Sequence, residues 1–224
     1  MKLRMLVLIA LLFVTAVAAE AEPGDISLGA KMGLTQTNIS QTPESWDDAT
    51  SYRAGFTAGM FLNYEFNDNF SLQPELLYVQ KGVDATLYEG FIDIGATLSL
   101  EYFELPLLAK YRFAGMKKVT PYIYGGPSFS YALSSELKGT VSILSAEVDF
   151  SSLTHTTDFG IIMGGGIEVP AGSVTLLFDG RFMYGFTNVI LTGDFEFHGY
   201  VQSIEEDDFK NFGFVFTAGL GFDI

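Results

Sequence analysis

The sequence is poor in the residues from which covalent cross-links and many active sites are built. Its 224 residues include no cysteine, two histidines and one tryptophan. Without cysteine there is neither a disulfide bond nor a thiol to carry the lipid of a lipoprotein. Histidine and cysteine metal sites need several such ligands at close spacing. We therefore expect no cofactor and no metal site of that type.

Basic residues are scarce as well. The chain has 12 lysines and arginines against 27 aspartates and glutamates, and its formal net charge is −15. A surface of this charge repels nucleic acid, so we expect no nucleic-acid partner. Hydrophobic residues nevertheless make up 48% of the chain and the mean hydropathy is +0.27, which excludes a disordered protein. Beyond the N terminus no uncharged apolar run reaches the length of about 18 residues that a membrane helix needs.

Residues 1–19 are predicted to be a secretory signal peptide, with cleavage between residues 18 and 21. Lys2 and Arg4 precede an uncharged apolar run, and alanines follow it. The run is shorter than the roughly 20 residues of a membrane-spanning helix. Any lasting membrane attachment must therefore come from the fold of the mature chain.

The remaining sequence, residues 26–224, is predicted to be one all-β domain because its apolar residues recur with a period of two. From Tyr52 to Phe66 every even position is apolar and most odd positions are polar or small, and the segment 212–224 repeats this alternation. The same pattern predicts eight strands, at 26–34, 52–66, 70–83, 98–113, 121–137, 154–169, 174–187 and 209–224.

The connections between these strands alternate in length, as they do in transmembrane barrels, where short periplasmic turns alternate with long external loops. The sequence therefore predicts an eight-stranded antiparallel up-and-down transmembrane β-barrel. The short turns are predicted at 67–69, 114–120 and 170–173, and the long loops at 35–51, 84–97, 138–153 and 188–208.

Alternation alone leaves open which face points outward, because a soluble eight-stranded barrel alternates too, with its apolar face inside. The polar face combines glycines with mid-strand charges, as a narrow packed interior would, and this favours the membrane barrel. Aromatic residues near the strand ends of the apolar face are typical of interfacial girdles. They are Tyr52, Phe66, Phe70, Tyr78, Phe103, Phe113 and Phe186.

Several segments carry a resemblance to a known family: PELLY at 74–78, YFELPLLAKY at 102–111, PYIYGGP at 121–127, and the glycine- and aromatic-rich stretches 158–168 and 181–188. In this order and spacing they resemble the porin-family outer-membrane β-barrel domain of double-membraned bacteria. The resemblance implies a monomer in the bacterial outer membrane, in contact with lipid and lipopolysaccharide and folded by the barrel-assembly machinery. It brings no catalytic residues. Ile224 departs from the terminal aromatic residue usual in such barrels.

The predicted interior holds six acids and five bases, which nearly balance. Because an unpaired charge in a narrow lumen is costly, we expect salt bridges that fill the barrel; a gated ion path is the alternative. The residues assigned to the interior are Arg53, Glu65, Glu75, Lys81, Glu104, Lys110, Arg112, Asp158, Glu168, Asp179 and Arg181. The core of the predicted charge network is Glu75, Glu104, Lys110, Arg112, Asp179 and Arg181.

Three functions remain open from the sequence. The first is a structural or adhesive surface role with a plugged lumen, since the long loops are strongly acidic. The second is a narrow porin-like channel for ions or small solutes. The third, a lipid-modifying enzyme, depends on His155 near Asp158, whose side chains the alternation places on opposite faces. We expect no enzyme.

The predicted loop 188–208 ends in four adjacent carboxylates, Glu205, Glu206, Asp207 and Asp208. Such a cluster needs cations to approach an anionic lipid surface, and its oxygens suit hard divalent ions. We therefore expect divalent-cation contact there, with lipopolysaccharide or an extracellular partner. A solvated acidic loop is the simpler alternative.

Overall fold

The structure is a computed structural model that describes residues 26–40, 50–89, 92–113, 118–141, 144–149, 156–188, 193–197, 200–204 and 209–224. No helix within these ranges is long and apolar enough to cross a membrane. The strands are β1 (Ile26–Ser40), β2 (Thr50–Glu65), β3 (Phe70–Glu89), β4 (Ile92–Arg112), β5 (Thr120–Val141), β6 (Leu144–Asp149), β7 (Thr157–Ala171), β8 (Val174–Asn188), β9 (Gly193–Phe197), β10 (Tyr200–Ile204) and β11 (Lys210–Asp223).

Eight of these strands close into one antiparallel ring in the order β1, β2, β3, β4, β5, β7, β8 and β11. The ring closes because β1 pairs with β11, from Ser27 opposite Asp223 to Ser40 opposite Lys210. The prediction of an eight-stranded antiparallel barrel is confirmed. The hairpin of β9 and β10 forms a separate two-stranded sheet.

The strands run further than predicted, so the predicted loops are too long. β1 continues to Ser40 instead of ending at residue 34. The β3–β4 ladder extends to Glu89 opposite Ile92, within the predicted loop 84–97, and β6 pairs back onto the end of β5. Backbone hydrogen bonds continue where the sequence no longer alternates cleanly between apolar and polar, because a strand needs an apolar face only where that face meets an apolar medium.

The two ends of the barrel differ. At one end, here called the turn end, short turns join the strands: Asn67 Oδ1 accepts hydrogen bonds from the backbone N–H groups of Asn69 and Phe70, each at 3.0 Å. Gly172 adopts φ +74°, which the two-residue turn between β7 and β8 requires. At the other end, here called the hairpin end, the strands extend as longer hairpins.

The outer face of the barrel wall carries exposed apolar side chains and the inner face carries most of the polar ones, which is the reverse of a soluble protein. On β2 the outward side chains of Phe56 and Met60 are exposed, whereas Thr57, Phe61 and Asn63 are buried in the lumen. Large apolar side chains cover the outer face of the other barrel strands in the same way. A continuous apolar belt of this kind is not stable in water and fits a lipid environment.

Candidate functional site

The most elaborate chemistry of the described residues lies inside the barrel, where charged side chains form three clusters at successive levels. Each barrel strand contributes alternate residues to the lumen. The turn-end cluster comprises Glu65, Lys110, Arg112 and Glu168; the central cluster comprises Lys31, Glu75, Asp179 and Arg181; the hairpin-side cluster comprises Lys81, Glu104 and Asp158.

The central cluster spans the full width of the lumen. Glu75 on β3 and Arg181 on β8 stand on opposite sides of the ring, since β3 is third and β8 seventh in the order of eight strands. Arg181 Nη1 nevertheless donates to Glu75 Oε2 at 2.7 Å, and Nη2 lies 3.4 Å from Oε1. The two strands are therefore joined across the lumen by a two-point ion pair, the strongest form of arginine–carboxylate contact.

Further contacts complete the central cluster. Lys31 Nζ lies 2.7 Å from Glu75 Oε1 and 3.4 Å from Asp179 Oδ2. Tyr124 and Thr217 donate their hydroxyl hydrogens to Asp179 at 2.7 and 2.9 Å. The four charged side chains are at most 1% exposed. Buried charges persist only when they are paired and hydrogen-bonded in this way.

The turn-end cluster lies in the lumen near the short turns. Lys110 Nζ donates to Glu168 Oε1 at 2.5 Å, and Arg112 forms an ion pair with Glu65. The side chain of Gln73 connects this cluster with the central one, because Nε2 donates to Glu75 and Oε1 accepts from Lys110. The turn-end and central clusters are thus one continuous hydrogen-bonded network.

Apolar and aromatic side chains fill the space between the charges. Leu77, Leu108, Tyr122, Tyr124 and Met183 belong to one buried cluster. The ammonium of Lys110 lies 4.2 Å from the centre of the Tyr122 ring, and the guanidinium of Arg181 lies 5.3 Å from that of Tyr124. These are cation–π distances. The lumen is therefore more apolar than the alternation predicts.

A small cavity opens at the turn end. It has a volume of about 40 Å³ and is lined by residues that include Asn63, Glu65, Lys110, Arg112 and Glu168. A buried water occupies roughly 10–15 Å³ on this measure. The cavity therefore has room for a few water molecules and not for a larger solute.

The hairpin-side cluster lies closer to the long hairpins. Lys81 Nζ lies 3.1 Å from Glu104 Oε2 and 5.0 Å from the centre of the Tyr102 ring. Asp158 Oδ2 accepts a hydrogen bond of 3.2 Å from the side-chain amide of Asn211. Among the described residues, no ion pair or hydrogen bond links this cluster to the central one.

The six residues of the predicted charge network are thus divided among three clusters. Glu75, Asp179 and Arg181 meet in the central cluster, Lys110 and Arg112 lie at the turn end, and Glu104 lies in the hairpin-side cluster.

Sequence reasoning missed Lys31, although the alternation of Gly29, Lys31 and Gly33 with apolar neighbours points it inward. Arg53 lies at the rim, where it pairs with Asp84 at 3.2 Å. Asp84 was expected in a solvated loop. It lies within β3 because that strand continues past the predicted end.

Other predicted sites fall outside the described residues. His155, His198 and the carboxylates Glu205, Glu206, Asp207 and Asp208 are not described by the structure. Among the residues that are described, no group of three or more histidine, cysteine or acidic side chains could hold a metal ion. The predicted divalent-cation contact in the loop 188–208 stays a prediction.

Sequence comparison decides the family. Residues 18–191 match the model of the outer membrane protein beta-barrel domain. The chain belongs to this family. This outer-membrane barrel therefore lies in the bacterial outer membrane, with its apolar belt in contact with lipid. No curated protein matches it.

Solved structures resemble this outer-membrane barrel in fold. The outer membrane protein OprG from Pseudomonas aeruginosa is 14% identical, with a TM-score of 0.54 over 91% of this chain and 97% of that one. Neisserial surface protein A (NspA) is 13% identical, with a TM-score of 0.47 over 91% and 100%. Ail, the attachment invasion locus protein of Yersinia pestis, is 15% identical, with a TM-score of 0.43 over 90% and 100%.

Proposed function

We propose that this outer-membrane barrel is a closed anchor that displays β-hairpins at the cell surface in a structural or adhesive role. The observation that carries the proposal is the central cluster. Its Glu75–Arg181 pair crosses the lumen between opposite strands, and Lys31 and Asp179 fill the space beside it. An eight-stranded barrel has an interior just wide enough for side chains, so paired charges at this level leave no room for a solute path.

The proposal assigns no catalytic step to the lumen. Asp158, the described member of the predicted His155–Asp158 pair, is hydrogen-bonded to Asn211 and buried. The proposed partners are lipopolysaccharide around the barrel, the barrel-assembly machinery during insertion, and an extracellular partner at the hairpin end. Short turns face the periplasm in such barrels, which places the hairpins outside.

Conductance in planar lipid bilayers tests the plug. The wild-type barrel should insert without defined current steps, because the lumen is filled at the level of Glu75 and Arg181. A variant with Lys31, Glu75, Tyr124, Asp179 and Arg181 all changed to Ala removes the side chains that cross the lumen, and it should conduct. Heat-modifiable mobility on gels would verify that both proteins are folded.

The outcome of that comparison separates the two main functions. Regular current steps from the wild type, similar to those of the quintuple variant, would replace the anchor by a narrow channel for ions or small solutes. If neither protein gives current steps, the barrel is still closed, and the aromatic and aliphatic side chains are enough to block it.

Trimming the hairpins tests the display role. Ala85 and Ala96 are direct partners on β3 and β4, so residues 86–95 can be replaced by Asn-Gly, a turn that suits a two-residue hairpin. Leu137 and Val148 allow the same replacement of residues 138–147. Cells that carry the wild type should sediment and attach to glass more than cells without it, and the doubly trimmed barrel should lose this gain at equal surface amounts.

The control for the trimmed barrel is a variant that changes a loop at the turn end instead of the hairpins. Replacing Gly172-Ser173 by Asn-Gly changes a turn-end loop and leaves the hairpins intact, so attachment should stay at the wild-type level. Full attachment by the doubly trimmed barrel would remove the display role and leave a structural one.

A further inference from the structure

The backbone register places two carboxylates beside one hydroxyl in the hairpin-side cluster. Glu104 on β4 is the direct partner of Ser130 on β5, and Ser130 is the direct partner of Asp158 on β7. Direct partners on neighbouring strands point to the same face with Cβ atoms about 5 Å apart. All three side chains are buried in the lumen, so the two carboxylates share one side of it.

The charges of this cluster do not balance, in contrast to the two others. The described residues of the central cluster comprise two acids and two bases, and so do those of the turn-end cluster. In the hairpin-side cluster Lys81 is the single described base beside Glu104 and Asp158. One negative charge is therefore left over, and a buried unpaired charge is costly.

Four oxygen atoms of the same cluster lack a hydrogen-bond donor among the described residues: both carboxylate oxygens of Glu104, Oδ1 of Asp158 and Oδ1 of Asn211. Glu104 Oε2 still has the ammonium of Lys81 as an ion-pair partner at 3.1 Å, whereas the described residues offer no such partner to the other three. The side-chain amide of Asn211 donates to Asp158 and to the hydroxyl of Tyr102, at 3.2 and 3.4 Å, which leaves its Oδ1 as an acceptor. Asn211 is 2% exposed and Glu104 1%, so bulk water does not supply the missing donors.

We propose that the hairpin-side cluster binds one monovalent cation, Na⁺ or K⁺, through oxygens of Glu104, Asp158 and Asn211. Carboxylate and amide oxygens are the ligands that hard cations take in proteins. A single positive charge neutralises the cluster, whereas a divalent ion would leave it positive next to the ammonium of Lys81. The site is separate from the anchoring role and does not depend on it.

Gly185 provides the space that this arrangement needs. A Cβ atom built on Gly185 would lie 2.8 Å from Asp158 Oδ2 and 2.9 Å from Oδ1. The carboxylate of Asp158 therefore lies directly against the backbone of β8. A side chain at position 185 would collide with this carboxylate and force it to move.

Thermal unfolding of the refolded full-length mature barrel in detergent micelles tests the proposal. The melting temperature is measured in NaCl, KCl or choline chloride at equal ionic strength, since choline is too large for the site. At ten times the half-saturating concentration, Na⁺ or K⁺ should raise the wild-type melting temperature by about 3–5 °C over choline. Asp158→Asn removes the excess charge and should abolish the difference between the salts.

A matched variant controls for general salt effects. Glu65→Gln neutralises a carboxylate of the turn-end cluster, far from the proposed site, and should keep the full difference between sodium and choline. Equal melting temperatures of the wild type in all three salts would overturn the proposal, whether or not Asp158→Asn folds. A wild type stabilised only by acidification, without any effect of sodium or potassium, would also overturn it and assign a proton to Asp158.

Discussion

At the scale of single residues, the lumen shows which side chains act together. Glu75 contacts both Lys31 and Arg181 and accepts a further hydrogen bond from Gln73 at 2.6 Å. Removing one partner of a buried ion pair strands the other charge in a medium that solvates it poorly. The pairs of the central cluster should therefore behave as one unit.

A double-mutant cycle measures this coupling. Glu75→Gln alone should lower the free energy of unfolding by about 3–5 kcal/mol, because Lys31 and Arg181 lose their shared carboxylate. Lys31→Met together with Glu75→Gln should cost clearly less than the sum of the single changes. Urea unfolding of the barrel in lipid vesicles, followed by tryptophan fluorescence, gives the values.

The rim pair provides the comparison for that cycle. Arg53 and Asp84 are 29% and 39% exposed in their side chains, and exposed pairs contribute about 0–1 kcal/mol. Arg53→Gln should therefore change stability little. Additive losses in the Lys31 and Glu75 cycle would mean that water solvates these charges, which would favour an open pore.

At this scale the sequence was sufficient to predict which face of the wall a side chain points to, but not which residue it contacts. Alternation is enough to turn Glu75 and Arg181 toward the lumen. Their contact joins positions 106 residues apart and depends on where each strand stands in the ring and on its vertical stagger. A local sequence pattern determines neither quantity. For the same reason Asn211 was not recognised as the partner of Asp158.

At the scale of elements, strand β2 shows how the two faces of the wall differ. Met60 lies on the outer face and is 56% exposed, whereas Thr57 is buried inside. The alternation of β2 could be recognised in the sequence because every second residue faces lipid and has to be apolar. The polar ends of β1 and β3 are not under this constraint, so the sequence did not predict that these strands extend further.

Substitution on β2 tests the orientation of the wall. Met60→Arg should lower the free energy of unfolding by about 2–4 kcal/mol, since a charge near the bilayer midplane is costly, whereas Met60→Leu should be close to neutral. Single cysteines at positions 56, 57, 59 and 60, treated with a lipid-phase reagent, should be labelled only at 56 and 60. Labelling at 57 and 59 instead would contradict an apolar face toward lipid.

At the scale of the whole molecule, a location in the outer membrane requires export, for which the sequence predicts a signal peptide. The predicted signal peptide of residues 1–19 lies outside the described residues. Mass spectrometry of the N terminus of membrane-extracted protein should find a first residue between positions 19 and 22. Detection of Met1 on the inserted barrel would refute cleavage, and accumulation of a precursor that retains residues 1–19 after blocking signal peptidase would support it.

The seam between β1 and β11 has a consequence for assembly. It joins the first and last barrel strands along 14 residue pairs, from Ser27 with Asp223 to Ser40 with Lys210. Until the final strand arrives, β1 and β8 each present an open edge whose N–H and C=O groups find no partner in hydrocarbon. Insertion should therefore be all-or-none and governed by a contact of very high sequence separation. A polypeptide truncated before residue 209 would have no stable half-barrel in the bilayer and would be left to aggregation or proteolysis.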